Sequence, residues 1–518
     1  RFLETFAPQR RVAQLVVLRE DDSTILHVLR LILQLLVIWQ HVVVMMDWKG
    51  SEGHTGISLS SPLTYGFAMA LGRVNTSFAC ISAHFVHKSV AKSLAAGQRP
   101  IGMVANGASG AVDSAAPMGS AAALISRRVR SVLHCTSTVA AWCARRWVSQ
   151  AMELGLWTFY YLRIAPEVPW RPFPEFVQVW YMTRIEACGG WPKKRGLPMW
   201  VLSSLLIYEP SNYLLGWYKS QSSMCHNMPI FEVLFSLSCI VAVLAGIRHC
   251  CGLRAFTAFA ALFAALAVAH MPVADPYAPF ADEESEQSSR NWQFDVLPAF
   301  VSRLLPACLA TVLLSSWRGP ACLRVQRARP GLWCLTALLL ATTLAFDFML
   351  CSMAHLSGNW RLSGLSSLKR AVELWTGFMA SSCFRSSAAQ RFLALAYEAP
   401  HVLGLAMLAR LAEDSESGDG RSTAGGLRSP CPQWIMGLSR LSLAVNISNI
   451  FIIHYICGRM HVYLVEFSHI HLALYALSVW LIAAALALCS HCLMAPYATL
   501  FVDVSRAIVL RIRLLFGQ

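Results

Sequence analysis

Charge is what this sequence has least of. Only 14% of its 518 residues are Asp, Glu, Lys or Arg, against about a quarter in an ordinary soluble protein. That is too little polar surface to clothe several water-soluble domains. Acidic residues are the scarcer kind, 28 against 43 basic, which leaves a net charge of +15. Cysteine is dilute as well: seventeen in the whole chain fall below the density of a disulfide scaffold. Many of them (Cys80, Cys239, Cys308, Cys334, Cys351, Cys457, Cys489) sit inside apolar runs, where a thiol acts as a small buried hydrophobe. The chain also lacks a Gly-x-Ser-x-Gly elbow, a P-loop, a His-Glu-x-x-His pair and a dinucleotide fingerprint. Soluble-enzyme chemistry therefore has no foothold. No basic stripe interleaved with aromatics occurs, so nucleic acid is not expected as a partner, and the surplus of Lys and Arg reads as the cytoplasmic bias of a membrane protein.

What the chain does have is apolar length. It is 56% hydrophobic with a mean hydropathy of +0.49. Runs at 25–46, 230–247, 255–273, 332–353 and 467–490 are long enough to cross a bilayer, and weaker candidates lie near 62–87, 134–165, 198–218, 294–316, 372–386, 393–411 and 436–457. The expected fold class is all-α, a polytopic transmembrane helical bundle of about 10–12 spans. The expected organisation is a pre-membrane segment over 1–23 with a truncated N-terminus, a membrane domain over 24–503 and a basic C-terminal tail over 504–518. Residues 96–125 are rich in Gly, Ala and Ser, and 275–290 and 412–432 are acidic or low-complexity. Basic stretches fall at 193–195, 248–254 and 318–329. Placed in the cytosol and counted back through single spans, they put the His41 end of the first helix on that same side.

The polar residues inside spans carry the chemistry. In ILHVLRLILQLLVIWQHVVVMM, His27, Arg30, Gln34 and His41 stand at offsets of 0, 3, 7 and 14, one stripe of an otherwise apolar helix. Such a stripe lines a polar channel or cavity, or else makes single interhelix hydrogen bonds. Neutral imidazole can take the proton from a hydroxyl that attacks an acyl carbonyl, and Arg30 can hold a phosphate or stabilise an oxyanion. A second stripe, Ser439, Ser442, Asn446 and Asn449 at offsets of 0, 3, 7 and 10, fits helix–helix glue. Arg163, at a helix end broken by Pro166, either snorkels or faces phosphate. Asp295, Arg303, Asp347 and Glu398 are further ionisable residues within spans, with no partner assignable from sequence.

Metal and haem sites find no support. The 14-residue separation of His27 and His41 would suit bis-histidine haem only with a matching second helix, and His454 and His469 are divided by a polar turn. Cys225 and His226 precede the 230–247 span while His249, Cys250 and Cys251 follow it, so one tetrahedral zinc site cannot collect them.

Taken in order, several segments together resemble a known family. They are LHVLRLILQLLVIWQH (26–41), LGRVNTSFACISAHFV (71–86), WTFYYLRIAPEV (157–168), LPMWVLSSLLIYEP (197–210), NWQFDVLPAFVSRLLPACLATVLL (291–314) and LSRLSLAVNISNIFIIH (438–454). Their order and spacing resemble the nose-resistant-to-fluoxetine-like branch of the acyltransferase-3 membrane family. The resemblance implies an integral membrane acyltransferase, multipass in the plasma membrane or an endomembrane. It would move an acyl group from acyl-CoA or a similar donor to a hydroxyl of a lipid, carbohydrate or small molecule, with no permanently bound cofactor. Carried over residue by residue, His41 is the catalytic histidine, Arg30 the arginine of the same helix, Arg163 the arginine before Pro166 and His454 the late histidine. Gln34 and Asn446 join Arg163 and His454 as expected substrate-binding residues. The sequence departs from the family at Ala83, where a Gly is usual, and at Leu443 and Asn446, which replace tyrosines. The alternative from another class is a non-catalytic membrane transporter or lipid/drug-uptake protein, or a structural subunit of a membrane complex.

Overall fold

A computed structural model of the chain describes residues 24–50, 73–97, 129, 131–149, 229–270, 297–316, 329–356, 387–417, 433–442, 444–446, 448–449, 452–453 and 469–515. Among the described residues all regular structure is helical and no strand occurs, as a membrane core demands of a bundle that satisfies its own backbone. The helices are α1 (Thr24–Gly50), α2 (Arg73–Gly97), α3 (131–149), α4 (Pro229–His270), α5 (Leu297–Ser316), α6 (Arg329–Leu356), α7 (Ser387–Ser417), α8 (Gln433–Arg440) and α9 (His469–Leu515). Past α8 the described residues 442, 444–446, 448–449 and 452–453 are helical, with the Val445 N–H donating to the Leu441 carbonyl at 3.0 Å.

Among the described residues four stretches are long and apolar enough to cross a bilayer: Thr24–Val42, Val233–Ala269, Pro330–Met349 and Leu472–Met494. Large apolar side chains stand on the outside of the bundle, among them Ile32, Leu262, Leu338, Leu474 and Leu481. A water-exposed surface of that kind would aggregate; a hydrocarbon-exposed one is at home. The chain is a membrane protein.

α4 shows why length alone misleads. At 1.5 Å per residue its 42 residues would reach about 63 Å, twice the roughly 30 Å hydrocarbon core. The helix breaks at Gly252, whose φ of 84° is open to glycine and strained for other residues. Arg248 and Phe256, about 12 Å apart along a straight helix, meet at 5.6 Å across that break. The two expected runs, 230–247 and 255–273, are thus its two arms.

Packing places α1 at the centre. Leu33 and Val37 enter a core shared with Val74 and Phe78 of α2, Val139 of α3, Val233 and Leu237 of α4, Leu305 of α5 and Val402 of α7. Ile38 and Val42 enter a second core with Val445, Val479 and Ala483, and Trp39 touches both. Small residues on α9 (Ala476, Ala483, Ala484, Ala487) let its backbone come close, so that Ser448 Oγ reaches the Ala483 carbonyl at 3.2 Å. Free thiols neighbour one another across helices, Cys80 and Cys308 between α2 and α5, and Cys143 and Cys239 between α3 and α4.

α2 takes in the later part of the 62–87 candidate and runs on to Gly97, with Arg73 buried inside the bundle, while 62–72 lie outside the described residues. Residues 504–515 of the expected basic tail are helical, a continuation of α9 past Pro496. One expectation is corrected, the sidedness count. His27 stacks on Phe85 at 5.0 Å, and His87, two residues on, lies 3.4 Å from Arg248, which also reaches the Ser316 carbonyl. The 248–254 turn, the end of α5 and the start of α6 therefore share the His27 end of α1, opposite His41.

Candidate functional site

The two polar stripes of the sequence meet each other. His27 Nδ1 lies 2.8 Å from Ser439 Oγ, Gln34 Nε2 donates to the Ser442 carbonyl at 3.2 Å, and His41 Nδ1 lies 3.2 Å from Asn449 Oδ1. The numbers rise together, so α1 and the segment from α8 to Asn449 run parallel, with two turns between successive polar residues of α1. The Trp480 indole N–H of α9 donates to Gln34 Oε1 at 3.3 Å. Both ends of the Gln34 amide are thereby engaged, tying three helices together at one buried residue. Asn446 lies on the segment that follows α8, partly buried, with no hydrogen bond to its Oδ1 among the described residues.

Arg30 leaves this ladder. Three residues after His27, it turns to α2, where its guanidinium lies 5.2 Å from the Phe78 ring and 5.7 Å from the Phe85 ring. Its Nε has no hydrogen-bond partner among the described residues, and the charge that acts on it is a like one, Arg146 of α3. Among the described residues this guanidinium, held by two ring faces with a second cation nearby, has no anion beside it. Two other cations of this end find acceptors: Arg248 and Arg410 donate to the Ser316 and Ser315 carbonyls at 3.5 and 3.3 Å, at the negative end of the α5 dipole. His84 Nδ1 lies 3.1 Å from Ser315 Oγ at the same place.

Arg30 and His41 are eleven residues apart on one helix, about 16 Å along its axis. One small group cannot touch both. Arg163 and His454, the other expected site residues, lie outside the described residues, as does Asp295.

Sequence reading passed over Arg73. It is buried and hydrogen-bonded through Nε and Nη2 to the two carboxylate oxygens of Asp347, the second contact at 3.1 Å. Glu398 approaches its Nη1 at 3.7 Å. Asp347 and Glu398, which had no assignable partner, thus find the same one. The available signal was an arginine opening an apolar helical run, RVNTSFACISAHFV, but such a residue looks like any helix-end cation until its neighbours are known.

The fold and these contacts define a class, a helical multipass membrane protein with polar and charged groups built into its interior. No protein-family model, no curated protein and no solved structure matches the chain.

Proposed function

We propose that this chain is an integral membrane acyltransferase that moves an acyl group from acyl-CoA or a similar donor to a hydroxyl acceptor, with His41 as general base. The observation that carries the reading is the His41–Asn449 contact. An amide oxygen accepts, so Nδ1 carries the hydrogen and Nε2 is left with its lone pair. A base whose tautomer is held by a third group follows the logic of activated hydroxyl attack. Arg30 supports it from the other end of α1. Its lack of an anion among the described residues suits the phosphates of a donor, and its separation of about 16 Å from His41 favours that role over oxyanion stabilisation at His41. An extended donor, phosphates at Arg30 and acyl carbonyl toward His41, uses both residues at once. Membrane lipids surround the site, in the plasma membrane or an endomembrane.

The test is acyl transfer by the full chain in lipid, with labelled acyl-CoA. His41→Ala should lower turnover about 10²- to 10⁴-fold, the range for loss of a general base, while the protein still inserts and melts as wild type. Arg30→Gln should raise the donor KM and leave kcat less affected. Unchanged turnover in a folded His41→Ala protein overturns the mechanism. Absence of both transfer and co-purified acyl donor in the wild type overturns the enzyme, and transport of a lipid by that same protein would establish the non-catalytic alternative.

A further inference from the structure

At the His41 end of the bundle, α2, α6 and α7 meet on charge. Arg73 and Asp347 are 2% and 0% exposed, and Glu398 is 19% exposed. Arg73 donates to both oxygens of Asp347 and, through Nη2, to the Tyr397 carbonyl at 3.4 Å, while its plane lies 4.1 Å from the Tyr397 ring. That geometry consumes one positive and one negative charge. Glu398 Oε2 faces the remaining Nη1 at 3.7 Å, too far for a hydrogen bond, and neither atom has another such partner among the described residues. One cation thus serves two carboxylates.

One turn further along α7, His401 is buried between hydroxyls, Ser77 Oγ at 2.7 Å from Nε2 and Thr343 Oγ1 at 3.2 Å from Nδ1. Each hydroxyl also has a backbone carbonyl within reach, Arg73 O at 3.0 Å for Ser77 and Leu339 O at 3.0 Å for Thr343. By turning between carbonyl and imidazole, the two hydroxyls accommodate a hydrogen on either ring nitrogen without moving a helix.

A net negative charge in a low-dielectric interior is costly unless something balances it. We propose that Asp347 and Glu398, clasped by Arg73, form a proton-binding site that holds one exchangeable proton shared between the two carboxyls. Binding forms one O–H bond from a proton delivered by water. The cluster goes from one negative charge to none, and nothing else is made or broken. Glu398 is the entry, since it alone of the three reaches the surface. The proton belongs to the pair, as in any strongly coupled dyad, and the groups that face it are Arg73 from α2, Asp347 from α6, and Tyr397 and His401 from α7. Because the pair joins three helices, its protonation state bears on how tightly they hold. The site lies at the end opposite the basic 248–254 turn, so by the positive-inside rule it samples the non-cytosolic compartment.

Infrared difference spectra of the full chain in lipid nanodiscs, recorded between pH steps, test this directly. The wild type should show a titrating C=O stretch of a protonated carboxylic acid that is missing in Glu398→Gln, where Arg73 and Asp347 already balance. Identical difference spectra in the two proteins overturn the proposal. Should Glu398→Gln fail to fold, the wild type answers by itself. Dicyclohexylcarbodiimide, an apolar reagent selective for protonated carboxyls, should modify Glu398, with the adduct falling roughly tenfold per pH unit above the midpoint of the titration. A Glu398 peptide that stays unmodified across the pH range refutes the site.

Discussion

Removing the Asp347 carboxylate should be among the most damaging single changes in this protein. Asp347→Leu leaves the Arg73 guanidinium, 2% exposed, with two hydrogen bonds lost and only the more distant Glu398 as counter-charge. Breaking a buried pair from one side costs about 3–5 kcal/mol, because the orphaned charge keeps its desolvation penalty. Glu398 at 3.7 Å should soften this, placing the expected loss at the lower end, about 3 kcal/mol. Arg73→Met alone should be worse, since it leaves two carboxylates without their cation. The informative protein is the combination Arg73→Met, Asp347→Leu and Glu398→Gln, which removes every charge in the cluster. Apolar replacement of a complete buried ion pair is often neutral or stabilising, so the triple variant should recover most of the loss. The assay is equilibrium unfolding in mixed micelles or bicelles, with each variant compared at matched lipid composition. Additive losses, with the triple variant less stable than any single one, would refute the claim that these charges are buried together.

Gln34→Leu should destabilise by about 1–2 kcal/mol, two interhelix hydrogen bonds at the 0.6 kcal/mol typical of membrane interiors plus repacking, whereas Ile32→Ala on the lipid-facing side should cost far less; equal effects would show that α1 is rotated. Mild oxidation should join Cys80 to Cys308 and Cys143 to Cys239, read as linked peptides by mass spectrometry, and Cys80 joined to Cys239 instead would contradict the packing of α2 against α5. In a cysteine-reduced background, Cys251 and a cysteine at Ser316 should react with an impermeant maleimide from one membrane face and a cysteine at Ala269 from the other; labelling of all three from one face would refute the turn at Gly252.

The helical class was legible because it depends on composition. A chain with this little charge and with runs near the thickness of a bilayer has few ways to satisfy its backbone. The two polar stripes were legible for a related reason: helical periodicity fixes which residues share a face, so Gln34 and His41 on one helix and Ser442 and Asn449 on another could each be picked out alone. That the stripes face each other could not be read, since periodicity says nothing about which helix lies opposite. Arg30 shows the limit of the same signal. An offset of three residues puts it about 60° from His27, close enough to count as one stripe and far enough to face α2 instead of α8.

What the sequence by itself determined is an apolar helical protein with a handful of polar groups on particular faces, because those are properties of neighbours within about two turns. What only the tertiary structure decided is the company those groups keep. Asp347 and Glu398 lie 274 and 325 residues from Arg73, and no local pattern links them. Their meeting depends on the turn at Gly252, the inward burial of α2 and the side on which each helix enters. A single miscounted helix reverses that side. Low charge is a scarcity spread along the chain; in three dimensions much of what matters is gathered at Arg30 near one face and Arg73 near the other.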